Sequence, residues 1–339
     1  MKYRIAWIEG DGIGPEISQV ALRILETLEK KYSIAFEIES YQAGDKCKSQ
    51  HGIALPEETI EGIAKADVAI KGPVGETAAD VIVRLRQMFD LFANIRPAKN
   101  YPNLPSIGNI DLVIVRENTE DLYKGIEFDL DGTALAIRII TEKASRRITE
   151  VAARQALSRK KKVTIVHKAN VMKKTCGLFL RTAKDELKKY HEIQVSEMYV
   201  DAASMALIRN PESFDVIVTT NMFGDILSDE AAQVAGGLGM AASGNIGTSM
   251  ALFEPVHGSA PDIAGKDIAN PYSMVLTTRM MLNWLAERKN DQELAKAAEE
   301  IEKACVKALS INVKTQDLGG KLKTSEVAKQ LKDILLGNQ

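Results

Sequence analysis

The feature that most constrains what this chain can fold into is the alternation of short apolar, β-prone runs with amphipathic helical patterns along almost all of its 339 residues. RIAWI (4–8) precedes ISQVALRILETLEK (17–30), FEIES (36–40) precedes a helical stretch around PEETIEGIAKA (56–66), and DVAIKGP (67–73) follows. The order resumes with DLVIVREN (111–118), ALAIRIIT (134–141), VTIVHKAN (163–170), a helix near GLFLRTAKDELKKY (177–190), IQVSEMYVD (193–201) and DVIVTT (215–220). This alternation predicts an α/β fold with a parallel sheet and helices on its faces. At roughly 150 residues per domain the length accommodates two domains. No Ser/Pro-rich linker separates them, so they must be closely packed. Residues 291–336 are charged amphipathic helix broken at QDLGG, which reads as the end of a domain begun earlier in the chain.

Composition removes several function classes. Apolar residues make up 45% and charged residues 27%, so neither disorder nor membrane residence is indicated. A net charge of -2 gives no field to gather nucleic acid or an anionic membrane. The basic run Arg159 to Lys162 reads as a solvated helix end. Cys47, Cys176 and Cys305 lack CxxC spacing, so neither a disulfide framework nor a zinc site is expected. The N-terminus enters a strand pattern with no cationic leader, and no stretch reaches ~18 uninterrupted apolar residues. A cytoplasmic protein is the expectation.

GDGIGPE (10–16) has the strand, glycine turn and helix order of a dinucleotide-binding loop. Its spacing is not the Rossmann GxGxxG, because the third glycine comes one residue early and Pro15 falls at the expected first helical position. The run makes a tight turn, and other residues must decide whether a ligand lies against it.

Three segments carry chemistry. In VIVRLRQMFDLFANIRPAKN and DLVIVRENTEDLYKG, Arg86, Arg96 and Arg116 stand among apolar residues, where guanidiniums need anionic partners. Converging, their planar forks would bind a dicarboxylate; apart, they would be structural ion pairs. In NMFGDILSDEAAQVAGG, Asp225 and Asp229 are four apart at a helix start and share a face. Oxygen-only ligands of this kind suit Mg²⁺ or Mn²⁺, although a helix N-terminus alone also favours acids. Asp201, closing the run MYVD, is a candidate third ligand. Four histidines and no GxSxG elbow leave Tyr123 and Lys168 as the acid/base candidates. In LFEPVHGSAPDIAGKDIANP, the loop from His257 to Pro261 offers N–H groups, and the Asp262 carboxylate suits the two hydroxyls of an adenosine ribose while repelling a 2′-phosphate.

Together these segments resemble the β-decarboxylating dehydrogenases, a family that acts on isopropylmalate, isocitrate, homoisocitrate and tartrate. The match runs in order from GDGIGPE through LRQMFDLFANIRPA, RENTEDLY, HKANVM, GDILSDEAA, SGNIG and EPVHGSAPDIAGKDIANP to TQDLGG, nearly the whole chain. The resemblance implies an α/β fold that is not Rossmann, two closely packed domains with a parallel or mixed sheet, and a discontinuous first domain (1–94 and 240–339) that holds the cofactor. A middle domain (95–239) would carry the dimer contacts. It implies that Arg86, Arg96 and Arg116 clamp the malate carboxylates, that Asp201, Asp225 and Asp229 ligate Mg²⁺ or Mn²⁺, and that Tyr123 and Lys168 are the acid/base pair. Lys168 and Asp201 would reach in from the partner of a homodimer, so a monomer would be inactive. Asn170 and Val171 would lie near the nicotinamide of NAD. Ile13, Glu254, His257, Gly258, Ser259, Ala260, Asp262, Ile263 and Asn270 would surround the rest of the cofactor.

Substrates of this family differ in one substituent. On a helix through ADVIVRLR, Ile82 and Val83 share the face of Arg86 while Arg84 points away. Their apolar surface suits an isopropyl group, so 3-isopropylmalate, on the route to leucine, is the expected substrate. RENTEDLY is wording associated with isocitrate and homoisocitrate members, which keeps those two acids as the alternative. A non-catalytic regulatory member would be expected to lack a metal aspartate, Tyr123 or Lys168, and all are present.

Overall fold

Twelve strands carry the fold: β1 (Lys2–Ile8), β2 (Ala35–Tyr41), β3 (Val68–Lys71), β4 (Ala93–Lys99), β5 (Asp111–Glu117), β6 (Glu127–Leu130), β7 (Thr133–Ala136), β8 (Lys162–His167), β9 (Gln194–Tyr199), β10 (Val216–Thr219), β11 (Ala242–Ile246) and β12 (Ala251–Pro255). They are seen in a computed structural model that describes residues 2–338. Ten strands form one sheet in the order β2-β1-β3-β12-β11-β4-β5-β10-β8-β9. β2, β1, β3 and β12 run parallel, as do β5, β10, β8 and β9. The two blocks meet through antiparallel pairs, β12 with β11, β11 with β4, and β4 with β5. The sheet is therefore mixed, with a seam at β11 and β4.

Both faces of each block are covered, which explains why the strands read as continuous apolar runs. Tyr3, Ile5 and Trp7 of β1 pack with the helices Gly14–Lys31, Tyr272–Lys289, Gln292–Ser310 and Thr324–Leu335. Ala6 and Ile8, pointing the other way, meet Ile60 and Ile63 of Glu57–Lys65 and Val81, Ile82 and Leu85 beyond it. In the other block Val113 and Val115 face Ile148 and Phe179, while Ile114 faces Leu207 and Leu227. The period of two thus splits the inner strands of the sheet between two apolar layers.

The structure departs from the sequence reading in three places. ALAIRIIT does not add a strand to the main sheet: residues 133–136 form β7 of a two-stranded hairpin with β6, exposed on all eight residues. The alternation there signals a ribbon, not a buried strand. Asp201 does not close a strand but lies in the first turn of Val200–Arg209, where an acid is favoured by the unpaired N–H groups. Pro15 is the second helical residue, because Gly14 already has helical geometry. Among the described residues no helix is long and apolar enough to cross a membrane.

The GDGIGPE turn is fixed by contacts to distant loops. Asp11 is buried, and its carboxylate accepts from the backbone N–H groups of Asp45 at 2.8 Å, Lys46 at 3.0 Å and Gly75 at 3.1 Å. The Ile13 N–H donates to the Ser259 carbonyl at 2.8 Å, tying this turn to the HGSAPD loop. Gly12 has φ +56°, and a Cβ there would lie 1.9 Å from the Ser259 oxygen. Gly12→Ala should therefore destabilise by at least ~1–2 kcal/mol from the left-handed backbone alone, measured by urea unfolding, and should disrupt the joint between the two loops.

Candidate active site

Three arginines meet at the seam. Arg96 comes from β4, Arg116 from β5, and Arg86 from the helical turn Arg84–Met88 that continues a π-helical turn, Ala79–Val83. All three line one cavity of about 350 Å³, with Ile82, Val83, Lys71, Tyr123, Asp225 and Glu254 also on its wall. Arg84 is exposed. Arg116 is only 1% exposed, and it fits beneath the helix Asn221–Ala235 because residue 224 is glycine: a Cβ there would lie 2.6 Å from the Arg116 Cβ and Cγ.

Each guanidinium keeps part of its donor set on the protein. Arg86 Nε donates to Asn245 Oδ1 at 2.9 Å and Nη2 to Glu254 Oε1 at 3.1 Å. Arg96 Nε donates to Asn94 Oδ1 at 2.7 Å, and Nη1 to Ser228 Oγ at 2.7 Å and Asp229 Oδ1 at 3.0 Å. Arg116 donates to Asn221 Oδ1 from Nε at 2.9 Å and Nη2 at 2.7 Å, and from Nη1 to Asp225. Burial, then Arg96 and Arg86, lower the proton affinity of the Arg116 guanidinium. An anion entering the cavity relieves this crowding of positive charge.

Asp225 and Asp229 face the same cluster. Burial pushes the Asp225 carboxyl up, but Arg116 and Arg96 outweigh it and hold the group below its ordinary value. Asp229 is raised, by burial first and also by Asp225, against the pull of Arg96. Two crowded carboxylates of this kind are what a divalent cation stabilises, so the donor set fits Mg²⁺ or Mn²⁺. Among the described residues of one chain, no group of three acidic, histidine or cysteine side chains could hold a metal ion. Asp201 is paired instead with Lys168, Nζ to Oδ1 at 2.7 Å.

Tyr123 stands on the turn Leu122–Lys124, which Asp121 caps by accepting from the Leu122 N–H at 2.9 Å. Its hydroxyl donates to Asp225, and its ring lies 5.0 Å from the Arg116 guanidinium carbon. Burial raises the phenol's pKa, Arg116 opposes this, and the Asp225 hydrogen bond adds to it, so the hydroxyl keeps its proton at neutral pH.

A second cavity, of about 310 Å³, is lined by Ile13, Gly239, His257, Gly258, Ala260, Ile263, Ile268, Asn270 and Asp317. His257 and Gly258 also line the arginine cavity, so one loop separates the two. The His257 Nε2 is buried without a partner, and burial keeps the imidazole neutral. A dinucleotide reaching from one cavity to the other would pass this orphaned atom, which fits a nucleotide cofactor. Asn270 is held by Asp317 at 2.9 Å.

A family model described as isocitrate/isopropylmalate dehydrogenase matches residues 4–331. The chain belongs to that family. A 3-isopropylmalate dehydrogenase of Saccharolobus solfataricus is 50% identical over 98% of this chain and 99% of its own length. One from Methanothermobacter thermautotrophicus is 52% identical over 97% of each. The crystal structure of isocitrate dehydrogenase from Methylococcus capsulatus has a TM-score of 0.91 at 40% identity, covering 98% of this chain and 99% of that one. Membership makes the protein a dehydrogenase of this family, with a small-molecule substrate.

Of the residues expected to act, the arginine cavity gathers Arg86, Arg96, Arg116, Ile82, Val83, Tyr123 and Asp225, with Asp229 bonded to Arg96. Glu254, expected around the cofactor, lies against Lys71 and Arg86 on the wall of the arginine cavity, which it shares with His257 and Gly258. Ser259 presents its carbonyl to Ile13, and Asp262 is exposed beside the second cavity's loop. Lys168, Asn170, Val171 and Asp201 line neither cavity. Sequence reasoning missed Lys71, Asn94, Asn221, Asn245 and Asp317. Polar residues standing alone in apolar strand runs, as in DVAIKGP and LFANIRP, were the signal.

Lys71 is buried, with Nζ 2.9 Å from Glu254 Oε2. Burial works to raise the Glu254 carboxyl, but Lys71 and then Arg86 hold its pKa at about 2, below the ordinary 4.5. Because the folded value is depressed, the stabilisation is complete above pH 4.5 and is lost as pH falls toward 2. Glu254→Gln strands a buried ammonium and should cost about 3–5 kcal/mol at pH 7. Urea unfolding should show that penalty shrinking as the pH is lowered through this window.

Proposed function

We propose that the protein is a 3-isopropylmalate dehydrogenase, converting 3-isopropylmalate and NAD to 4-methyl-2-oxopentanoate, CO₂ and NADH in leucine biosynthesis. The observation that carries the substrate choice is the wall of Ile82 and Val83 beside Arg86 in the arginine cavity. An isopropyl group gains ~1–3 kcal/mol from such a wall. A third carboxylate placed there unpaired would cost several kcal/mol. The two archaeal relatives named above support the same choice.

Arg86, Arg96 and Arg116 bind and orient the two malate carboxylates. In doing so, Arg96 and Arg116 exchange Asp225 and Asp229 for the ligand, which frees those carboxylates for Mg²⁺ or Mn²⁺. When bound, the cation supplies Lewis acidity at the substrate oxygens, and NAD accepts the hydride. Asp225 and Asp229 would hold the cation with Asp201 of a second copy. Lys168 of that copy assists removal of the hydroxyl proton. Loss of CO₂ from the β-keto acid leaves C3 needing a proton, and Tyr123, protonated and beside Asp225, donates it. Ile13, the His257-to-Ala260 loop, Ile263 and Asn270 bind the adenosine half of NAD, Asp262 its ribose hydroxyls, and Asn170 and Val171 approach the nicotinamide end.

The shared site is supported by the position of Lys168 and Asp201 outside both cavities, on a surface where Val171, Met205 and Ile226 are each at least 59% exposed. A homodimer covers these groups and completes the metal set. The same reading divides the chain into 1–94 with 240–339 and 95–239, a division supported by the apolar layers, which separate largely along those lines.

NADH formation with Mg²⁺ or Mn²⁺ from 3-isopropylmalate, isocitrate, homoisocitrate and tartrate should give the highest kcat/KM for 3-isopropylmalate. A higher value for isocitrate or homoisocitrate would overturn the role of the apolar wall, and no reaction with any of them would make this a regulatory subunit. Val83→Arg should move the preference toward a carboxylate-tailed malate by about tenfold or more, the effect of roughly 1.4 kcal/mol of new pairing. An unchanged ranking would remove Val83 from the specificity account.

A further inference from the structure

Beneath the arginine cavity lies a buried amide network that the reaction itself does not use. Asn245 of β11 stands directly opposite Asn94 of β4, and Asn94 directly opposite Arg116 of β5, so the three side chains share one face of the sheet in one row. Both asparagines are fully buried. Asn245 Oδ1 accepts from Arg86 Nε at 2.9 Å, Asn94 Nδ2 at 2.8 Å and Asn118 Nδ2 at 2.9 Å. Its Nδ2 donates to Glu254 Oε1 at 2.9 Å and the Leu252 carbonyl at 3.1 Å. Asn94 Oδ1 accepts from Arg96 Nε at 2.7 Å, and its Nδ2 also reaches Ser243 Oγ at 3.1 Å.

Arg86 and Arg96 are therefore gripped in the same way. In each, the Nε–H nearest the chain is taken by a buried amide oxygen, and the two amides are bonded to each other across the seam. We propose that Asn245 and Asn94 are positioning residues for the substrate clamp, fixing the angle between the Arg86 and Arg96 guanidiniums. The proposal rests on the reading that these guanidiniums bind the substrate carboxylates.

The choice of amides has a chemical reason. A carboxylate at either position would orient the arginine equally well but would also neutralise it, competing with the ligand for the charge. An amide takes the Nε–H without adding a charge, and leaves the positive charge for the carboxylate that enters. A serine or alanine leaves Nε without an acceptor and lets the guanidinium turn toward Asp225, Asp229 or Glu254.

The test measures steady-state kinetics with 3-isopropylmalate, NAD and Mg²⁺ for Asn94→Ala, Asn245→Ser and the reference Arg86→Ala, alongside thermal unfolding of each. A clamp misaligned by these changes should raise the KM for 3-isopropylmalate about 10- to 100-fold, the scale of a small misplacement of binding groups, while the KM for NAD stays within about twofold. A purely structural role would lower the melting temperature and the active fraction, hence kcat, with the substrate KM unchanged, and would overturn the proposal. Should Asn245→Ser fail to fold, Asn94→Ala decides alone, since Arg96 keeps its bonds to Ser228 and Asp229. If Arg86→Ala raises the substrate KM and neither asparagine variant does, the clamp stands and the positioning proposal falls. If Arg86→Ala leaves that KM unchanged, the clamp reading falls and the proposal with it.

Discussion

Three guanidiniums buried around one cavity set the terms for everything near them. Each lost most of its hydration on folding, and each repels the other two, so the site tolerates them only with compensating oxygen atoms on every side. Asp225, Asp229 and Glu254 supply charge, and Asn94, Asn221 and Asn245 supply neutral acceptors. The compensation is incomplete in a useful direction. On the proposed reading, the acids that pair with Arg96 and Arg116 would hold the cation, so that a dicarboxylate and a divalent ion together would satisfy both sets better than they satisfy each other.

The mixed sheet is what allows this arrangement. A uniformly parallel sheet would present its strand ends all on one side, whereas here two parallel blocks run in opposite senses and meet at β11 and β4. The end of β5, which carries Arg116, lies beside the beginning of β4 with Asn94, and the row continues through Asn245 of β11 to Leu252 of β12, two residues before Glu254. Polar groups from both blocks thereby converge on one buried face. The apolar layers on either side, from Ile82 and Leu252 to Ile114 and Leu227, exclude water from it and so strengthen each ion pair and hydrogen bond.

What could be read from the sequence followed the strength of local signals. The strands around RIAWI, VTIVHKAN and DVIVTT, with the helices that follow them, were legible because their apolar runs and amphipathic periods are strong. The hairpin at 127–136 was not, since alternation in a ribbon looks like alternation in a half-buried strand. Arg86, Arg96 and Arg116 were legible as a set because charge amid apolar residues demands a reason. Asn94 and Asn245 were not, because a lone amide in a strand is as readily a solvent-facing residue, and only the pairing of β11 with β4 shows that both point inward. The proposed reach of Lys168 and Asp201 into the site of a second copy is a geometry that no local pattern encodes.

GDGIGPE illustrates how a motif can be conspicuous for a reason other than the one it first suggests. In a Rossmann loop the glycines let a pyrophosphate approach the backbone. Here the space above Gly12 is filled by the carbonyl of Ser259, and the N–H of Ile13 is spent on that same oxygen. The glycine therefore admits protein, not phosphate. The acid of the motif works inward too, since Asp11 gathers the backbone N–H groups of two other loops. One of those loops, at Gly75, leads directly into the π-helical turn that carries Ile82 and Val83. The turn thus links the loop at Ser259 to the apolar wall of Ile82 and Val83, and its missing match to the Rossmann spacing reflects a structural joint that a phosphate-binding loop could not also be.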